Sequence, residues 1–166
     1  MLDQFIAAAE GVGATIKRFS AAADLLAHVD GSYGGKALRC TTLPDRFASL
    51  KMKDAAVDAA DLDVCLSFAR AGIAATGTVM VELDDAGDRA ATALPLVHAV
   101  ILDASSIVRT LADLRDVLKG ALAEPQPRYF SLTTGPSRTA DIERVLTIGV
   151  HGPKELHILI LEEGQA

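Results

Sequence analysis

The sequence predicts a three-layer α/β fold, a parallel sheet with helices on either side, and three observations predict it. Residues 96–102 and 156–161 are nearly continuous apolar runs, as expected of strands buried on both faces. Residues 105–122 set Ile107, Val108, Leu111, Leu114, Val117 and Leu118 on one helical stripe and most of their charge elsewhere, the pattern of a helix covering a sheet. Strand candidates alternate with helical ones along the chain, which is the α/β arrangement.

The elements follow in order. Residues 3–10 place Phe5, Ala8 and Ala9 at helical spacing, and residues 20–29 do the same with Ala22, Leu25, Leu26 and Val29. Between them, 15–19 reads as a short strand. Gly11 and Gly13 follow a helix instead of linking a strand to one, and a third glycine is missing, so they are a helix end and turn, not a dinucleotide fingerprint. After a glycine-rich loop at 31–35, residues 37–41 read as a strand, Pro44 breaks it, and 45–60 is weakly helical. Strands are expected at 63–68 and 78–83 around a Gly- and Ala-rich turn at 70–77, then a turn at 84–87 leading to the run at 96–102. Beyond the helix at 105–122, Pro125 and Pro127 close a connection, 128–133 reads as a strand, 139–146 as a short helix and 156–161 as the last buried strand.

The chain has 166 residues and a mass of 17.4 kDa, enough for one domain, 1–166, that buries about 70% of its unfolded surface. With 50% hydrophobic and 23% charged residues it is not a disordered chain. A net charge of -6 and a pI near 5.1 disfavour binding to a phosphate backbone. Aromatic residues are only 4%, with no Trp, so no set of stacking rings serves single-stranded nucleic acid, and no nucleic acid partner is expected. The longest charge-free stretches, 71–81 and 90–102, fall short of the roughly 20 apolar residues of a membrane-spanning helix. The amino end has no positive region ahead of an apolar run, so no secretory signal is expected and the expected compartment is cytoplasmic. Cys40 and Cys65 form no CxxC pair and cannot supply the four thiolates of an ordinary iron–sulfur cluster; buried, reduced thiols are expected.

The segment that could carry chemistry is Thr134-Gly-Pro-Ser-Arg-Thr-Ala-Asp-Ile-Glu143, read as a strand passing through Gly135 and Pro136 into a polar helix start. Backbone N–H groups there, with the Ser137 and Thr139 hydroxyls and the Arg138 guanidinium, suit a phosphate or carboxylate. The same residues also fit a plain capped helix, with Ser137 or Thr139 as cap and Asp141 and Glu143 complementing the dipole. The second glycine of G-x-S-x-G is missing around Ser137, so a nucleophile elbow is not met. Asp141 and Glu143, two apart on a helix, diverge. His151, in the tight turn Gly149-Val-His-Gly-Pro153, either moves a proton at a ligand or holds the turn. His28, His98 and His157 read as structural, and no metal-ligand spacing is present. A second candidate ligand loop is Ala74-Ala-Thr-Gly-Thr78, where Gly77 also suits a bare turn.

Two C-terminal blocks, residues 134–143 and Leu146-Thr-Ile-Gly-Val-His-Gly-Pro153, resemble the signature of the lactate utilization protein C family, the LUD domain, formerly a domain of unknown function. Gly72-Ile-Ala-Ala-Thr-Gly-Thr-Val-Met-Val81, Leu94-Pro95 with His98, and Ile107-Val108 are similar to the family's middle blocks, in the same order. The resemblance covers residues 61–161 well and the N-terminal third loosely. It implies a mostly parallel sheet flanked by helices, like the sugar-phosphate isomerase and CoA-transferase group. It also implies an accessory or ligand-binding part in bacterial oxidation of L-lactate to pyruvate, beside iron–sulfur subunits that would hold the clusters, with no cofactor in this chain. The alternative implied by the fold group is a stand-alone small-molecule enzyme or sensor that binds a phosphate, nucleotide or acyl-CoA. Two departures stand out. Ala75 occupies a place where members often carry an acidic residue, so an acyl-glutamate intermediate is not expected, and the longer N-terminal segment of many members is not seen. The expected site gathers Gly77, Thr78, Gly135, Pro136, Ser137, Arg138, Thr139, Asp141, Glu143 and Gly152 as ligand contacts, with His151 as the catalytic candidate, in one cleft at the sheet's carboxyl edge.

Overall fold

The computed structural model describes residues 1–51, 58–83, 85–123, 128–140, 146–148 and 152–163. The chain runs through α1 (Leu2–Gly11), β1 (Thr15–Phe19), α2 (Ala22–Tyr33), β2 (Leu38–Thr41), a 3-10 turn at Asp45–Phe47 continuing into α3 (Ala48–Lys51), β3 (Val64–Ile73) and β4 (Thr78–Glu82). It continues through α4 (Ala86–Ala93), β5 (Val97–Asp103), β6 (Ile107–Val108), α5 (Leu114–Leu122), β7 (Phe130–Thr133), β8 (Arg138–Ala140), β9 (Leu146–Ile148) and β10 (Glu155–Leu161).

The result is an α/β fold built on an eight-stranded, mostly parallel sheet flanked by helices. Its parallel part has the order β1-β10-β5-β3-β2. Strand β3 is long, and its register shifts between Ala69 and Ala71. A bulge of this kind bends a strand, and beyond it β3 pairs antiparallel with β4, which pairs antiparallel with β7.

Alternate side chains of β5 and β10 feed two cores, as period-2 geometry requires. Val100, Leu102, Leu156, Ile158 and Ile160 pack with Phe5 and Ala9 of α1 on one face. Ala99, Ile101, Leu159 and Leu161 pack with Leu25, Val29, Phe47 and Leu50 on the other. The two apolar runs are therefore the central strands, and the predicted layering holds.

Three local readings are corrected. The predicted helix at 105–122 is interrupted. Ile107 and Val108 are β-branched and pair with Gly72 and Ile73 of β3, so the helix starts only at Leu114. Asp113 accepts the N–H and hydroxyl of Thr110 at 2.8 and 2.9 Å just before it. Consequently Leu111 is 59% exposed while Leu114 is fully buried. The predicted helix at 139–146 is replaced at both ends by strand, because β8 pairs antiparallel with β9, Thr139 opposite Thr147; residues 141–145 lie outside the described residues, as does the Pro125–Pro127 connection. Finally, the turn expected at 84–87 opens α4, whose first turn is capped by the Asp85 carboxylate accepting the Asp88 N–H at 2.8 Å.

Candidate functional site

His98 is the second residue of β5 and stands between Cys65 of β3 and Leu156 of β10. Its imidazole is 2% exposed, and Nε2 lies 2.7 Å from the Ser67 hydroxyl. Burial pushes its pKa down to about 4, so the ring is neutral at pH 7 and Ser67 fixes its orientation. A neutral imidazole offers one donor and one acceptor.

The ring forms part of the lining of a cavity of about 380 Å3. Leu83 and Leu156 lie beside it, α4 contributes Arg89, Thr92 and Ala93, and the chain from Tyr129 to Ser137 forms the opposite wall. Gly152 and Pro153 close one end. Arg89 places its guanidinium 5.1 Å from the centre of the Tyr129 ring, a cation–π contact that seats a positive charge at the cavity.

The wall owes its shape to two close approaches. Gly135 has φ +69, and a Cβ there would stand 2.5 Å from the Val12 carbonyl oxygen, so only glycine fits. Ser137 donates its N–H to the Pro153 carbonyl at 2.9 Å, and a Cβ on Gly152 would fall 2.9 Å from the Ser137 Cβ. Thr76, Thr78 and Thr134 form a string of hydroxyls with spacings of 2.6 and 2.7 Å, linking the β3–β4 turn to the wall.

Gly135, Pro136, Ser137 and Gly152 thus line one cavity, and Thr78 is one hydroxyl removed from it through Thr134. Gly77 instead faces α1, where a Cβ would meet the Ala9 nitrogen at 2.3 Å. Arg138 donates to the Val12 carbonyl and is outside the cavity lining. Thr139 lies in β8. Asp141, Glu143 and His151 lie outside the described residues. The anion contact expected at a helix start is not available in that form, because β8 occupies the place of that helix.

The cleft's position is also corrected. It lies over the amino ends of β5 and β10, where His98 and Leu156 are second residues, and not at the carboxyl edge. The Ser137–Pro153 bond causes this, since Pro153 leads directly into the start of β10. Sequence reasoning treated His98 as structural and did not find Arg89 or Thr92, which come from α4.

Cys65 is enclosed and burial pushes its thiol up to about 12, while the Cys40 thiol donates to the Leu50 carbonyl at 3.5 Å. Among the described residues, no group of three or more His, Cys, Asp and Glu side chains is placed to hold a metal ion, and no helix is long and apolar enough to cross a membrane. A hydroxyl-rich cavity with a neutral imidazole and a guanidinium suits a small oxygen-rich anion.

Comparison with known proteins gives a consistent set of likenesses. Residues 35–161 match the family model for the LUD domain. The chain is 30% identical over 138 residues to a lactate utilization protein C from Bacillus velezensis, covering 78% of this chain and 57% of that protein. It is 34% identical over 101 residues to a lactate utilization protein C from Bacillus subtilis, covering 59% and 42%. The chain therefore spans about half the length of the relatives it matches. In fold it is similar to the crystal structure of a DUF162 family protein from Deinococcus radiodurans, with a TM-score of 0.66, 20% identity, and coverage of 96% and 95% of the two chains.

Proposed function

This chain belongs to the LUD domain family, and from that membership we propose that it is an accessory, ligand-binding subunit of a lactate utilization system that oxidises L-lactate to pyruvate. The observation that carries the reading is the cavity lined by His98, whose ring Ser67 holds from behind, inside the stretch matched by the family model. The names of the relatives from both Bacillus species support the lactate assignment.

The bound species is a small carboxylate, lactate or pyruvate. Arg89 offsets its charge, Ser137 and the neighbouring backbone from Gly135 hold its oxygens, and neutral His98 supplies a hydrogen bond without charging. His151, adjacent in sequence to Gly152, is the proton-transferring or hydrogen-bonding group. Iron–sulfur clusters held by partner subunits would take up the two electrons released by lactate, since Cys40 and Cys65 are too few to supply the four thiolates of an ordinary cluster in this chain. The system operates in the cytoplasm.

Purification of the native complex from cells grown on L-lactate, together with growth of a deletion strain, tests this. Co-purifying iron–sulfur subunits and a growth defect on L-lactate are expected. Normal growth and no such subunits overturn it. Saturable binding of acyl-CoA or a nucleotide, without binding of lactate or pyruvate, replaces it with a stand-alone enzyme or sensor.

A further inference from the structure

Resting on the reading that the main cavity binds a 2-hydroxy carboxylate, we propose that it selects a longer, polyhydroxylated acid of the aldonate class through Ser131, Thr133 and Tyr129.

The first observation is length. Tyr129, Ser131 and Thr133 all line the cavity, as residues two apart on one face of a strand do. Tyr129 extends the β7 ladder by one residue, its carbonyl accepting the Leu83 N–H at 2.8 Å. At about 3.3 Å per residue, the wall from Tyr129 to Thr133 is about 13 Å long, whereas a three-carbon acid spans about 5 Å. Lactate held at Ser137 therefore leaves most of that wall bare. The cavity volume of about 380 Å3 agrees, since it falls within the roughly 300–1,000 Å3 of sites that enclose drug-sized ligands.

The second is open hydrogen-bonding capacity on that bare wall. The Ser131 and Thr133 hydroxyls stand 3.4 Å apart, long against the roughly 2.7–2.8 Å of an ordinary O–H···O bond. Both residues are partly exposed, and each hydroxyl carries one donor and two acceptor positions, which so loose a contact leaves largely unused. A ligand hydroxyl about 2.8 Å from both oxygens accepts from one and donates to the other. Thr134 differs, because its hydroxyl is already joined to that of Thr78 at 2.7 Å. The tail of an aldonate carries such hydroxyls, and the methyl of lactate carries none.

The third is apolar surface beside those hydroxyls. Leu83 is 1% exposed and Tyr129 and Leu132 are each 50% exposed, and all three line the cavity. A carbon chain with hydroxyls on one side presents C–H groups on the other. Those groups cover Leu83 and the open part of Tyr129 while the hydroxyls meet Ser131 and Thr133. A tail without hydroxyls displaces water from Ser131 and Thr133 and gives nothing back, which costs affinity.

Calorimetric titration of the full chain with L-lactate, D-gluconate, D-mannonate and 2-hydroxyhexanoate tests the proposal. The two aldonates differ at C2, and the last acid has their chain length without the further hydroxyls. At least one aldonate should bind at least tenfold more tightly than both L-lactate and 2-hydroxyhexanoate, as about two added neutral hydrogen bonds imply. Ser131→Ala should lower the ratio of aldonate to lactate affinity about fivefold, a selective loss that a general loosening of the fold does not produce. Saturable L-lactate binding with both aldonates less than tenfold tighter overturns this proposal and leaves the lactate reading standing. So does 2-hydroxyhexanoate binding within tenfold of the better aldonate, or a ratio in Ser131→Ala that falls less than twofold. No saturable binding of any of the acids overturns both readings. Aldonate binding without measurable lactate binding supports the proposal and makes the longer acid the ligand.

Discussion

The Ser67 hydroxyl stands 2.7 Å from Nε2 of His98 across the neighbouring parallel strands β3 and β5. The pair joins the sheet's interior to the wall of the main cavity, so the histidine serves packing and site at once. Burial disfavours charging it there.

That coupling sets a pH dependence. Burial holds His98 at about 4 in the folded chain against 6.5 ordinarily, so between those values the unfolded chain binds the extra proton. Stability contributed by neutral His98 is therefore complete above about pH 6.5, falls as pH drops, and is lost below about pH 4, a total of about 3 kcal/mol. Urea unfolding from pH 4 to pH 7 should show this slope in the wild type. His98→Gln should lack it, and an identical slope in both would place the titration elsewhere.

Leu111 and Leu114 should separate cleanly. Leu114 is fully buried against Ala71, Ile73 and Met80, so Leu114→Ala should cost about 2–5 kcal/mol. Leu111 is largely exposed, and Leu111→Ala should stay within about 0.5 kcal/mol. Denaturant midpoints of the two variants decide whether the helix starts at Leu114.

Gly77 and Gly35 both have positive φ, yet only Gly77 is pressed against backbone. A Cβ at Gly77 would meet the Ala9 nitrogen at 2.3 Å, whereas nothing lies within 4 Å of one at Gly35. Gly35→Ala should cost about 1–2 kcal/mol for the backbone alone. Gly77→Ala should cost clearly more, because α1 has to move. Thermal unfolding of the two variants reads the difference, and equal losses would mean that α1 does not pack on this turn.

The same contrast explains what the sequence made legible. Two-sided burial writes itself as unbroken apolar runs, so β5 and β10 were readable directly, as was Leu114 on its stripe. Ile107 and Val108 fit that stripe equally well, and only their pairing with β3, a nonlocal contact, makes them strand. Pro136 and Ser137 resemble a helix start until β9 pairs with β8. For the site, Gly135, Ser137 and Gly152 stood out as turn-forming residues. His98 was hidden inside an apolar run, although a lone titratable residue in a strand buried on both faces is itself a signal. Arg89 and Thr92 were missed with α4, whose Ala-rich sequence carries Gly87 and little pattern beyond the Asp85 cap.

Arg138 offers a further check on the boundary of the main site. Its guanidinium is committed to the Val12 carbonyl beside Gly13, so Arg138→Ala should loosen the α1–β1 turn. The Gly13 amide should exchange faster with solvent, while ligand affinity changes less than about twofold. A large loss of affinity with unchanged exchange would make Arg138 a ligand contact.

Calorimetric titration of the full chain with L-lactate and with pyruvate tests the central claim most directly, run beside Ser137→Ala. Saturable binding of at least one of the two acids is expected. The Ser137→Ala chain should keep its unfolding midpoint and bind at least about tenfold more weakly, as loss of a hydrogen bond to a charged carboxylate implies. Absence of saturable heat with both acids, or undiminished affinity in Ser137→Ala, would contradict the assignment of this cavity to lactate utilization.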